Sequence, residues 1–208
     1  MPTPRPLAAT LLAAPLITLL AALLALPACN TGAEEAETPD DEAAEPATPA
    51  GPLPIVAADI PGLPASFAIG DVIVCGQPTP EGLVNARDQG ARLLINARTQ
   101  AEMSYDERSV AQGLGLRYVS LAFTPDTLSD QLVDLFIFEM KKHKPEDGKI
   151  VLHCSSGNRV AALWAMYEIK ELKVDPELAV QRAREMQPAL STDMVMYIGD
   201  YARRTGAL

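Results

Sequence analysis

The chain has 208 residues, 27 acidic against 17 basic, for a formal net charge of -10. That balance excludes a nucleic-acid binder, which needs a basic face, and the length implies one domain with extra segments. His143 and His153 are the only histidines, and neither has a ligand-like neighbour at zinc spacing, so no metal and no cofactor is implied.

Leu7 to Leu26 is nearly all Ala and Leu, interrupted by Thr10, Pro15 and Thr18, with Arg5 the only positive charge before it. The run ends in Leu26-Pro27-Ala28-Cys29, a small residue just before a cysteine. Residues 1–28 therefore read as a secretory signal. The cysteine makes the segment resemble a bacterial lipoprotein lipobox, with Pro27 as a departure. On that reading Cys29 becomes a lipidated N-terminus and anchors the protein to a membrane of the cell envelope, on the periplasmic or surface side. A plain signal peptide and a retained anchor of about 20 residues, just long enough to span, are the alternatives. Residues 29–54 are rich in Ala, Glu, Pro and Thr and contain no Lys or Arg. Such a composition buries too little to offset ordering, so this stretch reads as a disordered acidic tether. Residues 55–208 remain as one domain, long enough for a single core.

Within that domain, Phe67 to Cys75 predicts two short strands around a Gly70-Asp71 turn. Gly76-Gln77-Pro78 breaks the run, Thr79 caps a helix with Pro80 at its first position, and Gly90 ends it. Arg92 to Ala97 is a short apolar run, as in a strand buried on both faces. A polar helix is predicted over Glu102 to Gln112, then a strand over Leu116 to Ala122. Ser129 caps a long helix with Leu132, Val133, Phe136, Ile137 and Met140 at helical spacing. Ile150 to His153 is the next strand, and an apolar helix covers Val160 to Met166. Asp175-Pro176-Glu177 starts another helix, and a last one spans about Thr192 to Arg204. Strands alternating with helices predict an α/β fold, a mostly parallel sheet covered by helices. Sites in such sheets lie at the carboxyl ends of the strands. That rule brings Cys75-Gly76-Gln77, Asn96-Ala97-Arg98 and His153-Cys154 together.

His153-Cys154-Ser155-Ser156-Gly157-Asn158-Arg159 carries the chemistry. Loop N–H groups at a helix N-terminus favour negative charge and would stabilise a thiolate, so Cys154 is expected to be a nucleophile more acidic than a free cysteine. Ser155, Ser156, Gly157 and Asn158 would bind an anion mainly through backbone N–H groups, and Arg159 through its guanidinium fork. A surface arginine is the other reading of Arg159, but the helix dipole disfavours a cation there unless an anion offsets it. His153 reads equally as a residue that tunes Cys154 or as a satisfied core histidine. Asp126, on the loop Phe123-Thr124-Pro125-Asp126-Thr127, is the candidate general acid. Asp130 is a weaker one, better read as a carboxylate complementing its helix dipole.

The same residues resemble the cysteine-dependent tyrosine and dual-specificity phosphatases through His-Cys-x-x-Gly-x-Arg. Over about Phe67 to Ala165 the chain more closely resembles a bacterial family of phosphatase-like domains, some fused to β-lactamase-like hydrolases. That likeness rests on Cys75 to Pro80, Leu94 to Arg98 and His153 to Val160. It implies the phosphatase fold, a phosphorylated protein or small-molecule substrate, a phosphocysteine on Cys154, and Gln77 and Arg98 near the site. Four residues separate Cys154 from Arg159, where tyrosine phosphatases usually have one more. The shorter loop resembles rhodanese sulfurtransferases, which carry a persulfide. Val160 stands where phosphatases usually place a hydroxyl that assists turnover. A sulfurtransferase, and an anion-binding module gated by a Cys75–Cys154 disulfide, are therefore alternatives to the phosphomonoester hydrolase.

Overall fold

A computed structural model describes residues 51–207. The signal and Cys29 lie outside the described residues, as does the tether except for residues 51–54. The strands are β1 (Val56–Ala57), β2 (Phe67–Ile69), β3 (Val72–Cys75), β4 (Ala91–Asn96), β5 (Arg117–Ser120) and β6 (Lys149–His153). The helices are α1 (Pro80–Asp88), α2 (Glu107–Gly113), α3 (Asp130–Lys142), α4 (Asn158–Lys170), α5 (Pro176–Met186) and α6 (Thr192–Arg204).

One sheet runs in the order β1-β2-β3-β6-β4-β5. The three strands β1, β2 and β3 are antiparallel, and β3, β6, β4 and β5 are parallel. Alternate side chains of a strand point to opposite faces, and here both faces are buried. Val72, Val74, Leu93, Ile95, Ile150 and Leu152 face α3 to α6. Ile73, Cys75, Leu94 and Val151 face α1 and α2, against Leu83, Ala86 and Ala111. This is the expected α/β architecture, with helices on both faces of a mostly parallel sheet.

Helix α4 is apolar around nearly its whole circumference, as its place against the sheet and among α3, α5 and α6 requires. Its one acidic residue, Glu168, is buried and accepts from Arg182 Nε of α5 at 2.9 Å. Arg182 also donates to the Leu53 carbonyl at 2.6 Å, so the arginine serves both the buried carboxylate and the entering chain. Leu53 lies in an apolar hollow with Val72 and Ile150, at the amino ends of β3 and β6.

The caps expected at Thr79, Ser129 and Asp175 are formed, with Gly82, Leu132 and Leu178 N–H groups as donors. The expected helix over Glu102 to Gln112 is a correction. The Glu102 carboxylate turns back to accept from the Thr99 N–H at 2.8 Å and the Thr99 hydroxyl at 2.9 Å. That closes a separate 3-10 turn over Gln100–Glu102. Asp106 then caps the shorter α2 by accepting from the Ser109 N–H at 3.1 Å.

Candidate active site

Strand β6 lies between β3 and β4, so its carboxyl end delivers Cys154 to the middle of the sheet. The chain reverses over Ser155 and Ser156. Gly157 adopts φ 99°, a left-handed conformation that a side chain disfavours. A Cβ there would also meet Gln187 Nε2 at 3.3 Å. This turn aims the Gly157 N–H at Cys154 Sγ, at 3.1 Å. Helix α4 starts at the next residue, so the sulfur receives both a direct donor and the positive end of a helix.

The loop is held from outside by Gln187, which no motif singled out, and by Asn158 and Gln77, which were expected near the site. Gln187 Nε2 donates to the Ser156 carbonyl at 2.5 Å. Asn158 donates to the Ala189 carbonyl and accepts from the Ser191 N–H, so its side chain ties α4 to the α5–α6 connection. Gln77 contributes through its backbone, donating to the Ser155 carbonyl at 3.2 Å, while its side-chain amide donates to Ser104.

Arg159 sits in the first turn of α4. Its Nη1 donates to the Ala97 carbonyl at 3.1 Å and the Phe123 carbonyl at 2.7 Å. Its fork meets Glu102, at 2.9 Å from Nη1 and 2.5 Å from Nη2, and Nη2 also reaches Ser155 Oγ. Glu102 is thus the anion that offsets a cation at a helix N-terminus. The Arg159 hydrogen bonds hold the Glu102 carboxyl far below the usual carboxylate range, against a smaller opposing effect of burial. Glu102 is therefore ionised at any working pH and cannot donate a proton. Burial pulls the Arg159 guanidinium down, but Glu102 and the charge of Cys154 outweigh it and leave it raised.

His153 is fully buried, and its Nε2 lies 3.1 Å from Glu107 Oε2. Glu107, also fully buried, accepts from Asn96 Nδ2 at 2.7 Å and from the Tyr118 and Tyr105 hydroxyls at 3.3 Å. The histidine is thus a core residue held by Glu107 through Nε2, while its buried Nδ1 has no partner among the described residues. Removing the carboxylate strands the buried Asn96 and His153 side chains and the partly buried tyrosine hydroxyls. We expect Glu107→Ala to lower the unfolding free energy by about 3–5 kcal/mol. A denaturant titration showing a loss under about 1 kcal/mol would mean that the network does not hold the strand end.

Cys75 pairs with His153 across β3 and β6. Both Cys75 and Cys154 are buried free thiols, not a disulfide. Burial pushes the Cys75 thiol up, helped by the negative charge of Cys154 and Glu107. Arg98, at the end of β4, is buried and turns into a separate cleft. Asp126 is exposed on a 3-10 turn, Pro125–Thr127. Thr124 and Pro125 line one cleft of about 390 Å³ with Glu102 and Arg159, and Asp126 is the next residue along. Asp130 is bound to Arg204 and to the Tyr197 hydroxyl, which leaves it in the structural role expected.

Residues 65–170 match the family described as the phosphatase-like domain of beta-lactamase hydrolase-like protein. The chain belongs to that family. Solved structures agree with the phosphatase-like fold at low identity. A DUF442 protein of Shewanella putrefaciens CN-32 has a TM-score of 0.60 and 17% identity, covering 69% of this chain and 95% of that one. A cysteine-to-serine variant of TpbA from P. aeruginosa, in complex with pTyr, has a TM-score of 0.60 and 15% identity, covering 73% and 95%. PTPMT1 in complex with PI(5)P has a TM-score of 0.54 and 16% identity, covering 65% and 92%. No curated protein matches the sequence. The phosphatase-like family match contains Cys75, Gln77, Arg98, Glu102, Glu107, Asp126 and the whole Cys154–Arg159 loop.

Proposed function

We propose that this protein is a cysteine-dependent phosphomonoester hydrolase that works through a phosphocysteine on Cys154. The observation that carries this reading is the Gly157 N–H on Cys154 Sγ at the start of α4, with the Arg159 guanidinium on the same loop. The Cys154 thiolate attacks phosphorus while the ester P–O bond breaks. Loop N–H groups and Arg159 stabilise the charge on the phosphoryl oxygens. Asp126, in its carboxylic acid form, gives its proton to the leaving oxygen. In the second step the Asp126 carboxylate takes a proton from water as that water attacks phosphorus. The S–P bond breaks, and phosphate and the thiolate leave.

The fold is shared with structures that hold phosphotyrosine and a phosphoinositide, which supports a phosphorylated substrate for this chain too. The lipobox-like Leu26 to Cys29 supports tethering in the cell envelope. Val160 offers no hydroxyl to the second step. We expect a burst of alcohol release followed by a slower steady rate, visible by rapid mixing; a strictly linear time course would place the slow step at or before phosphoryl transfer to Cys154.

Asp126→Asn separates the acid from the rest of the machinery. With an alkyl phosphate, whose leaving oxygen needs a proton, the rate of phosphoryl transfer to Cys154 should fall about 100-fold or more. With p-nitrophenyl phosphate, whose leaving group departs unprotonated, it should change little. Equal effects on both substrates would remove Asp126 from that step.

The four-residue spacing between Cys154 and Arg159 favours a second reading, sulfur transfer through a Cys154 persulfide. Assaying the full chain for phosphate release from an aryl phosphate, and for thiocyanate from thiosulfate and cyanide, decides between them. Thiocyanate without phosphate release would replace the first reading by the second.

A further inference from the structure

Past the carboxyl ends of β4 and β5 opens a cleft of about 570 Å³. It shares no lining residue with the cleft of Arg159. Its floor includes Arg98, which is only 4% exposed. Among the described residues, Nε and Nη1 of Arg98 have no hydrogen-bond partner. A guanidinium cannot shed its proton in a protein, and an unpaired buried cation is strongly destabilising. The position therefore asks for an anion.

The lining residues show what kind. Both carboxylates of the cleft are already committed. Asp106 accepts from the Ser109 N–H and hydroxyl. Glu107 accepts from Asn96 and Tyr105 and sits against His153. Several other donors of the cleft, in contrast, are unspent. Arg108 is an exposed second cation, with its guanidinium over the Tyr118 ring at 4.7 Å. Ser104 Oγ accepts from Gln77, which leaves its hydroxyl hydrogen to give away, and Ser120 lies beside the same space. A ligand here must accept hydrogen bonds and carry negative charge. Met103 and Tyr118 add apolar wall for a small organic body behind the charge.

We infer that this cleft is a second oxyanion site, in which Arg98 holds a phosphate- or sulfate-type group, free or on a small organic body. The inference goes beyond phosphomonoester hydrolysis and does not depend on it, because no atom of the Cys154 loop takes part. Occupancy nevertheless bears on that loop, since Asn96 and Glu107 line the cleft and Glu107 contacts His153, the residue before Cys154.

The test follows amide signals of the isotope-labelled full chain during titration with inorganic phosphate. Saturable shifts are expected at Arg98, Ser104 and Ser120. They should persist in Arg159→Ala, where binding at Gly157 and Asn158 is weakened. They should lose affinity at least about tenfold in Arg98→Gln, which removes the charge-assisted bonds. Should Arg98→Gln not fold, exposed Arg108→Ala takes its place, with a loss of about three- to tenfold expected. Shifts confined to Gly157 and Asn158, or an affinity that neither arginine changes, overturn the site. Phenylphosphonate provides the second arm. Tighter binding than inorganic phosphate at the Arg98 signals assigns the anion to an organic body, and equal or weaker binding assigns it to the free ion. Absence of hydrolysis would leave every one of these readouts intact.

Discussion

Cys154→Ser is expected to reduce aryl phosphate hydrolysis at least about 1,000-fold. The fold should survive, because serine is nearly isosteric and its hydroxyl can accept the same Gly157 N–H. The chemistry should not survive. A helix N-terminus and one N–H donor favour a thiolate, but they cannot ionise a serine hydroxyl. Phosphorylated protein trapped by acid quenching should vanish with the sulfur. A serine variant that keeps more than about a tenth of the rate would show that Cys154 is not the nucleophile.

Arg159→Lys should lower kcat/KM by about 100- to 1,000-fold. Lysine keeps the positive charge but cannot fill the Glu102 fork and the Ala97 and Phe123 carbonyls together. The contact with the Phe123 carbonyl gives this variant a signature beyond lost charge stabilisation. It ties the start of the Asp126 loop to the catalytic loop, so breaking it should also loosen the proposed acid. Asp126→Asn should therefore cost less in the Arg159→Lys background than in the wild type. Fully additive losses, measured as kcat/KM on an alkyl phosphate, would show that the two groups act independently.

Much of this was written in local patterns. The caps at Thr79, Ser129 and Asp175 and the glycine-turned loop rest on interactions within a few residues of chain, and the buried strands announce themselves as short apolar runs. Glu102 was legible too, because Thr99 and Glu102 are spaced as a capping box, but a polar run around them reads more readily as helix. The pairing of Glu102 with Arg159 was not legible. It joins residues 57 apart in the chain, and only the order β6-β4 makes them neighbours. Glu107 is harder still. A carboxylate near the start of a helix usually complements its dipole in solvent, and nothing around Glu107 announces a buried carboxylate met by Asn96, Tyr105, Tyr118 and His153. Arg98 reads as strand-end punctuation until the burial of its guanidinium is seen.

The hold of Arg182 on the Leu53 carbonyl has a mechanical consequence. The chain enters the domain at the amino ends of β3 and β6, and the Cys154 loop lies at the other ends of those strands. Tension applied through residue 51 is taken up first by the Arg182–Glu168 pair and by the short β1–β2 ladder. The Gly157 to Cys154 hydrogen bond sits behind the whole length of the sheet and bears none of that load directly. A pull on residue 51 should therefore break the Arg182 hydrogen bond to Leu53 before it disturbs the sulfur.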